Sequence, residues 1–234
     1  MATYVLVHGM WHGGWCWRKV TPLLRAAGHT VYTPTLTGLG ERVHLHYPDI
    51  DMHTHIRDVV NVLVYEDLRE VVLVGHSLAG FMVPAVAEHV PERIAHIVDL
   101  DGPLAIEGKA FKDLLPGYWE DFRQRGRAAG DEGWAPPVLE WTFGVSGADL
   151  EWLRSKLTPQ PLKTWETPLH FASPFASSIP RTFIHCTEGL SAEDIAAEEQ
   201  QCTDRGWKYR SIAAGHDAMI TAPDGLTRGL LELA

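Results

Sequence analysis

The sequence has no excess of positive charge. Its 20 lysines and arginines stand against 30 aspartates and glutamates, which gives a net charge of −10 at pH 7 over 234 residues. A protein that binds nucleic acid needs a basic surface for the phosphate backbone, and anionic membranes also attract basic patches. The charge therefore argues against nucleic acid and against a membrane as partners.

The sequence also lacks a long hydrophobic run and a cysteine framework. No apolar stretch approaches the roughly 18 residues that a membrane-spanning helix needs, and no basic segment precedes the apolar N-terminal residues as it would in a secretion signal. The three cysteines, Cys16, Cys186 and Cys202, are odd in number and have no metal-site spacing. We expect free, buried thiols and a cytoplasmic protein.

Histidine is plentiful, but its spacing is not that of a metal site. The pairs His44/His46 and His53/His55 could each place two imidazoles on one side of an extended segment. No set of Cys, Asp or Glu stands near them at a recognisable ligand spacing. The sequence predicts no metal and no cofactor.

Strand and helix patterns alternate along most of the chain. Runs of β-branched residues such as VVLV at residues 71–74 are typical of strands buried on both faces of a parallel sheet. Six strands that alternate with helices predict an α/β fold, with a mostly parallel sheet and helices on both faces. The predicted strands are residues 3–7, 30–32, 71–74, 94–100, 182–185 and 208–212, and the main predicted helices are 17–27, 56–65, 77–88, 194–205 and 225–233.

The alternation is interrupted once, after the fourth strand. Residues 102–180 are too long for a simple connection in a compact domain, and they contain five of the nine tryptophans. We expect this segment to be a helical cap inserted into a core formed by residues 1–101 and 181–234. Core and cap together make a single structural domain in this prediction.

The strongest chemical signal is Gly75-His76-Ser77-Leu78-Ala79-Gly80, between the VVLV strand and a helix. A serine hydroxyl becomes a useful nucleophile when a tight strand-to-helix turn holds it out, and small flanking residues permit that turn. The sequence therefore predicts Ser77 as a catalytic nucleophile. The alternative is a Gly-Ser turn that only packs the helix against the strand.

Two further segments could complete an acyl-transfer site. His216, in a turn after the last strand, is the predicted general base, and its structural alternative is a helix cap. An oxyanion needs two N–H donors, and we assign the backbone N–H groups of Leu78 and Met10. Met10 belongs to the loop after the first strand, which we expect beside the Ser77 turn.

These segments resemble one family. The opening YVLVHGMWHGGWCW, the segment TGLGER, the turn GHSLAG after VVLV and the terminal GHDAM are similar to the α/β-hydrolase fold. The resemblance is to the branch of plant methyl esterases, hydroxynitrile lyases and bacterial esterase relatives, and it runs from Tyr4 to the last helix. It implies Ser77 as nucleophile, His216 as base, and Met10 and Leu78 as oxyanion donors.

The sequence departs from the family at the third member of the triad. Relatives usually carry CTxD after the penultimate strand, whereas this chain has Cys186-Thr187-Glu188-Gly189. Asp101, at the end of the fourth strand, is the first candidate, because some α/β-hydrolases take their acid from that place. Glu188 is the second, one residue early. Asp194, Asp217 or no acid at all are the remaining alternatives.

The predicted function is a serine carboxylester hydrolase for small, apolar or aromatic esters. Lactonase or thioesterase activity would use the same machinery, and a non-catalytic small-ligand binder is the alternative outside enzymes. A hydroxynitrile lyase would need a threonine at Gly9 and a lysine soon after His216, and the chain has neither. A homodimer is left open. Cap aromatic residues, each more often core than substrate contact, would shape the pocket: Trp119, Trp134, Trp141, Phe143, Trp152 and Trp165.

Overall fold

The computed structural model describes residues 1–233, apart from the side chains of residues 174 and 175. Six of its strands form one sheet in which every neighbouring pair is parallel. The strands are β1 (Thr3–Val7), β2 (Thr30–Tyr32), β3 (Val71–His76), β4 (Ile94–Leu100), β5 (Trp134–Ala135), β6 (Gln160–Pro161), β7 (Arg181–Cys186) and β8 (Lys208–Ile212). The order in the large sheet is β2-β1-β3-β4-β7-β8.

Helices cover both faces of this sheet. The core helices are α1 (Val20–Ala26), α2 (Met52–Tyr65), α3 (Leu78–His89), α9 (Ala192–Asp204), α10 (Ala218–Thr221) and α11 (Pro223–Leu231). No helix in the described part of the chain is both long and apolar enough to cross a membrane. Between β4 and β7 lie α4 (Phe111–Leu114), α5 (Pro116–Ala128), α6 (Gly147–Arg154), α7 (Lys163–Glu166) and α8 (Pro174–Ser177).

The central strand β3 shows why the chain folds in these layers. All six of its residues are buried, because alternate side chains point to opposite faces and both faces are covered. Leu73 packs in the core with α2 and α3. Val72 and Val74 pack on the opposite face with α1, α10 and α11. The predicted α/β fold with helices on both faces is confirmed.

The helix bounds differ from the predicted ones near the functional loops. The helix predicted at residues 17–27 begins as a 3₁₀ segment, Gly14–Lys19, and becomes α-helical only at Val20. The turn before it packs so closely that a Cβ atom on Gly14 would lie 2.1 Å from the carbonyl oxygen of Thr33. The short helix α10 was not predicted, because four residues carry too little periodicity to be recognised.

The segment between β4 and β7 contains five helices, and it also contains a small antiparallel pair. In that pair Trp134 lies opposite Pro161 and Ala135 lies opposite Gln160. Strands of two residues show no alternation, so the sequence pattern could not reveal them. The β4–β7 segment lies over the carboxyl end of the sheet, where α4, α5 and α7 contribute to a cavity above β3.

One buried carboxylate in the sheet makes stability depend on pH. Asp99 on β4 is 3% exposed, and its Oδ1 atom has no hydrogen-bond partner among residues 1–233. Burial raises the pKa of Asp99 to about 7, against the opposing charges of Arg181 and Arg205. An unfolded aspartate titrates near pH 4. Since the folded state binds this proton more tightly, the contribution to stability falls as the pH rises from about 4 to about 7.

We expect Asp99→Asn to raise the free energy of unfolding at pH 8 by about 1–3 kcal/mol. The pKa values of Asp99 in the folded and unfolded states differ by roughly three units, which corresponds to about 4 kcal/mol. The buried amide of the asparagine would be imperfectly paired, and this reduces the gain in stability. At pH 4 the gain should disappear. Urea unfolding at both pH values measures it, with the exposed Asp204→Asn as the matched control. An Asp99→Asn variant less stable than the unmodified protein at pH 8 would contradict this account.

Candidate active site

Ser77 lies in a strained turn between β3 and α3. Its backbone has φ 56° and ψ −120°, a left-handed conformation that costs a non-glycine residue on the order of 1–3 kcal/mol. The turn is tight, because a Cβ atom on Gly75 would lie 2.4 Å from the carbonyl oxygen of Ala79. The Ser77 N–H donates to the carbonyl oxygen of Leu100 at 2.8 Å. The turn thus holds Ser77 at the carboxyl end of the sheet, where it lines the cavity.

His216 and Asp101 meet at the same end of the sheet. Nδ1 of His216, in the turn after β8, lies 2.6 Å from Oδ2 of Asp101. The other carboxylate oxygen of Asp101 accepts the N–H of Cys186 at 2.8 Å. Asp101 also has a left-handed backbone, with φ 51°. Two hydrogen bonds therefore fix this carboxylate against the imidazole.

The other candidate acids lie elsewhere. Glu188 is exposed in the turn after β7, and Asp194 is exposed in the first turn of α9. Asp217 is fully buried, and it bonds to His12 rather than to the imidazole of His216. Gly189, where relatives carry aspartate, is exposed with φ 82°. Among residues 1–233, Asp101 is the carboxylate that hydrogen-bonds the His216 imidazole.

The charges of this pair stabilise each other. Burial by itself would lower the pKa of His216, but the hydrogen bond and the negative charge of Asp101 outweigh it and raise that pKa above its ordinary value. Burial would likewise raise the pKa of Asp101, but the hydrogen bond and charge of His216 lower it below its usual range. The arrangement favours an ionised Asp101 and an imidazole of increased basicity.

The loop after β1 lies directly against the Ser77 turn. A Cβ atom on Gly9 would lie 2.9 Å from Cβ of Ser77, so a larger residue would have to displace the Ser77 turn. The next N–H, that of Met10, has no hydrogen-bond acceptor in the described part of the chain. Leu78 is the first residue of α3, and the first N–H groups of a helix have no acceptor within it. Both N–H groups are suited to bind an anionic oxygen near Ser77.

His76 hydrogen-bonds the backbone of His216. It is 1% exposed, and its Nε2 atom lies 3.0 Å from the carbonyl oxygen of His216, so a proton on Nε2 donates to that oxygen. Burial, with the nearby charge of His216, lowers the pKa of His76 to about 3. A neutral His76 therefore holds the backbone of the histidine turn without competing for its proton.

The cavity above Ser77 is mainly aromatic. Its volume is about 500 Å³, and Ser77, His216 and Asp101 line it. Three of the six predicted cap aromatic residues, Trp141, Phe143 and Trp165, contribute to its wall, whereas the other three pack elsewhere. The sequence analysis missed four further aromatic residues of the wall: Trp11, Phe111, Tyr118 and Phe122.

The histidine pairs considered as metal ligands do not converge on a site. His46 stacks on Trp134, and Nε2 of His55 bonds the carbonyl oxygen of Thr37 at 3.0 Å. Among residues 1–233, the group of three candidate ligands close enough for one ion is His76, His216 and Asp217. All three already make the hydrogen bonds that build the site.

The chain matches the model of the Alpha/beta hydrolase family over residues 4–228, and it belongs to this family. It is 34% identical to the carbendazim hydrolyzing esterase of Nocardioides sp. (strain SG-4G), over 100% of both chains. It is 28% identical to salicylic acid-binding protein 2 of Nicotiana tabacum, over 99% of this chain and 96% of that one.

The fold is also that of solved structures. An extracellular alpha/beta-hydrolase from a Paenibacillus species superposes with a TM-score of 0.86 at 22% identity, over 100% of this chain and 99% of the other. That structure is described as sharing structural and functional homology with tobacco salicylic acid binding protein 2. The resemblance found in the sequence is therefore confirmed.

Proposed function

We propose that this chain is a serine carboxylester hydrolase in which Ser77 is the nucleophile, His216 the base and Asp101 the acid. The observation that carries the proposal is the shared cavity. A serine on a strained turn and an imidazole hydrogen-bonded to a carboxylate at 2.6 Å both face its interior. The esterase relative at 34% identity over the full length supports the same activity.

The reaction follows from these positions. His216 takes the proton of Ser77 as the hydroxyl oxygen attacks the ester carbonyl, and the N–H groups of Met10 and Leu78 donate to the resulting oxyanion. The protonated His216 then gives its proton to the leaving alcohol. Water attacks the acyl-enzyme with the same base, which releases the acid and restores Ser77.

The cavity wall indicates the substrate class. The wall has no lysine or arginine among the described residues, and aromatic side chains dominate it. A volume of about 500 Å³ suits a small molecule that is mostly enclosed. We infer an uncharged ester with an aryl or compact apolar group. Carbendazim, for which the relative is named, belongs in the first substrate panel.

The alternatives separate on particular residues. A hydroxynitrile lyase would need a threonine at Gly9, and a Cβ atom at that position would lie 2.9 Å from Cβ of Ser77. The position after His216 is occupied by Asp217, which is buried and bonded to His12. A non-catalytic binder would explain the glycine at residue 189, where relatives carry the acid, but the contact of Asp101 with His216 supports a catalytic site. Lactones and thioesters remain substrates that this machinery could open.

The proposal has two further parts, which are the division into core and cap and the location of the protein. Residues 1–101 and 181–234 form the core that carries the triad, and residues 102–180 form the cap over the cavity, all within one domain. A cytoplasmic location is consistent with Cys16, Cys186 and Cys202, which are buried free thiols.

Covalent trapping tests the proposal. Diethyl p-nitrophenyl phosphate should release one equivalent of p-nitrophenol per chain, and mass spectrometry should find the diethylphosphoryl group on the peptide that contains Ser77. Ser77→Ala should take up none. A panel of aryl, alkyl, lactone and thioester substrates should show the highest kcat/KM for uncharged aryl esters. A label on another residue, or no turnover of any ester, would refute the proposal.

A further inference from the structure

His12 connects the loop after β1 with the turn that carries His216, and the proposed reaction gives it no role. It lies in the loop that follows β1, two residues after Met10, and it is 1% exposed. Its Nδ1 atom is 2.6 Å from the carbonyl oxygen of Met10. Its Nε2 atom is 3.0 Å from Oδ2 of Asp217, the residue after His216. One imidazole thus contacts both the oxyanion loop and the histidine turn.

The partners of the two nitrogens define where the protons lie. A carbonyl oxygen can only accept, so Nδ1 of His12 carries a hydrogen. Burial would raise the pKa of Asp217, but the charge and hydrogen bond of His12 outweigh it and hold that pKa below its usual range. Nε2 of His12 faces this carboxylate at 3.0 Å. The imidazole of His12 also stacks on the indole of Trp15, with ring centroids 5.4 Å apart.

The far end of this contact is firmly anchored. Asp217 is 0% exposed. Its N–H donates to the carbonyl oxygen of Phe143 at 3.0 Å, and its own carbonyl oxygen accepts the N–H of Ile220 at 2.8 Å. The carboxylate that holds His12 therefore cannot move independently of the turn that carries His216.

The oxyanion loop needs such an anchor because it contains a strained residue. Trp11, between Met10 and His12, has φ 67°. From the cap side, the N–H of Trp11 donates to Oε1 of Gln160 at 3.2 Å, and the carbonyl oxygen of Trp11 accepts the N–H of Thr158 at 3.0 Å. On the other side the loop is held through His12. Without His12, one side of the turn that presents the Met10 N–H would be released.

We propose that the His12–Asp217 pair is a positioning link, which holds the N–H of Met10 and the imidazole of His216 in register on either side of Ser77. The inference rests on the proposed function. His12 lines the cavity, but both of its ring nitrogens bond protein atoms, so the pair acts through the Met10 N–H and the His216 imidazole. Its contribution belongs to the transition state, in which the oxyanion forms and the proton moves.

Two substitutions break the link at different ends. In His12→Asn the amide can reach the Met10 carbonyl in place of Nδ1 but not Asp217. In His12→Gln it can reach Asp217 in place of Nε2 but not Met10. We expect each to lower kcat about 10–100-fold, less than the 10²–10³-fold typical of losing an oxyanion donor outright. KM should change less than about threefold, because the aromatic side chains that dominate the cavity wall remain.

Asp217→Asn separates geometry from charge. The asparagine amide can donate to Nε2 of His12, while the hydrogen on Nδ1 still bonds the Met10 carbonyl. Because the connection persists, we expect a loss in kcat of less than about fivefold. The matched control is His96→Gln, a buried histidine whose Nε2 bonds Oγ1 of Thr182 at 2.8 Å on the far part of β4. It should change stability and leave kcat unaltered.

The decisive measurement compares two inhibitors across these variants. An aryl trifluoromethyl ketone adds to Ser77 and places an oxyanion against Met10 and Leu78, whereas the product acid binds without forming that bond. Rates are expressed per active site titrated with diethyl p-nitrophenyl phosphate, so unfolded protein does not count. The ketone Ki should rise by the same factor as kcat falls in both His12 variants, and the Kd of the product acid should stay within threefold.

Other outcomes would overturn the link. They are a kcat within threefold of the unmodified protein in both His12 variants, a parallel rise in the Kd of the product acid, or a loss in Asp217→Asn as large as in His12→Gln. Failure of the proposed function looks different. In that case Ser77→Ala would retain esterase activity, and the ketone would bind Ser77→Ala as tightly as the unmodified protein.

Discussion

Ser77→Ala is expected to lower kcat for a p-nitrophenyl ester by about 10⁴–10⁶-fold, the range found when a triad nucleophile is removed. The physical reason is that no other hydroxyl occupies the strained turn between β3 and α3. His216 and the N–H groups of Met10 and Leu78 would remain in Ser77→Ala, so a slow water reaction should persist above the uncatalysed rate. Steady-state kinetics on purified protein measure the loss.

The strain at Ser77 supplies a second variant that excludes misfolding as the cause. Its φ of 56° suits glycine better than alanine, so Ser77→Gly should be at least as stable as Ser77→Ala. Both should lose activity to the same extent. Ser211→Ala, at an exposed position on β8, should keep full activity. Substantial activity in either Ser77 variant would remove Ser77 from the mechanism.

The Ser77 turn could be recognised from the sequence because its determinants are local. VVLV predicts a strand buried on both faces, and the small residues that follow permit only a tight turn. Gly75 then has a visible physical reason, since a Cβ atom there would lie 2.4 Å from the carbonyl oxygen of Ala79. All the residues that determine this turn lie within about ten positions of one another, so the sequence alone could predict it.

The sequence named Asp101 as the first candidate acid but left alternatives open, because the contact between Asp101 and His216 is not local. Asp101 and His216 are 115 residues apart, and their contact depends on the strand order β4-β7-β8, because Asp101 follows β4 and His216 follows β8. The N–H of Cys186 from β7 then fixes the Asp101 carboxylate. Local pattern placed Asp101 at a strand end, but it could not show which strand ends face His216.

Four aromatic residues of the cavity wall and the His12–Asp217 link were missed for the same reason, since their contacts are also not local. His12 and Asp217 are 205 residues apart, and neither has a neighbour in sequence that marks it as buried and paired. Trp11 belongs to the oxyanion loop rather than to the cap, so counting cap tryptophans could not include it. Tyr118 and Phe122 lie one helical turn apart on α5, but only the packed structure shows which face of that helix meets the cavity.

Asp101→Asn is expected to lower kcat about 10,000-fold, because the asparagine selects the wrong tautomer of His216. In Asp101 one oxygen accepts the N–H of Cys186 and the other accepts from Nδ1 of His216. Asparagine has a single acceptor oxygen, and the Cys186 N–H, which can only donate, requires it. The amide nitrogen then faces Nδ1, which must accept, so the imidazole proton moves to Nε2, the atom that should take the proton of Ser77.

The pH profile distinguishes this effect from a loss of folding. His216 must be neutral to act as the base, so activity rises as the pH passes upward through its pKa. Asp101 holds that pKa above the ordinary value through its hydrogen bond and charge. Asp101→Asn should therefore shift the acidic limb of kcat/KM to lower pH while the plateau falls. Glu188→Gln, which alters an exposed carboxylate, should change neither limb nor plateau. If Glu188→Gln lost more activity than Asp101→Asn, the acid would belong to the turn after β7 in the working enzyme, and the 2.6 Å contact would have only a structural role.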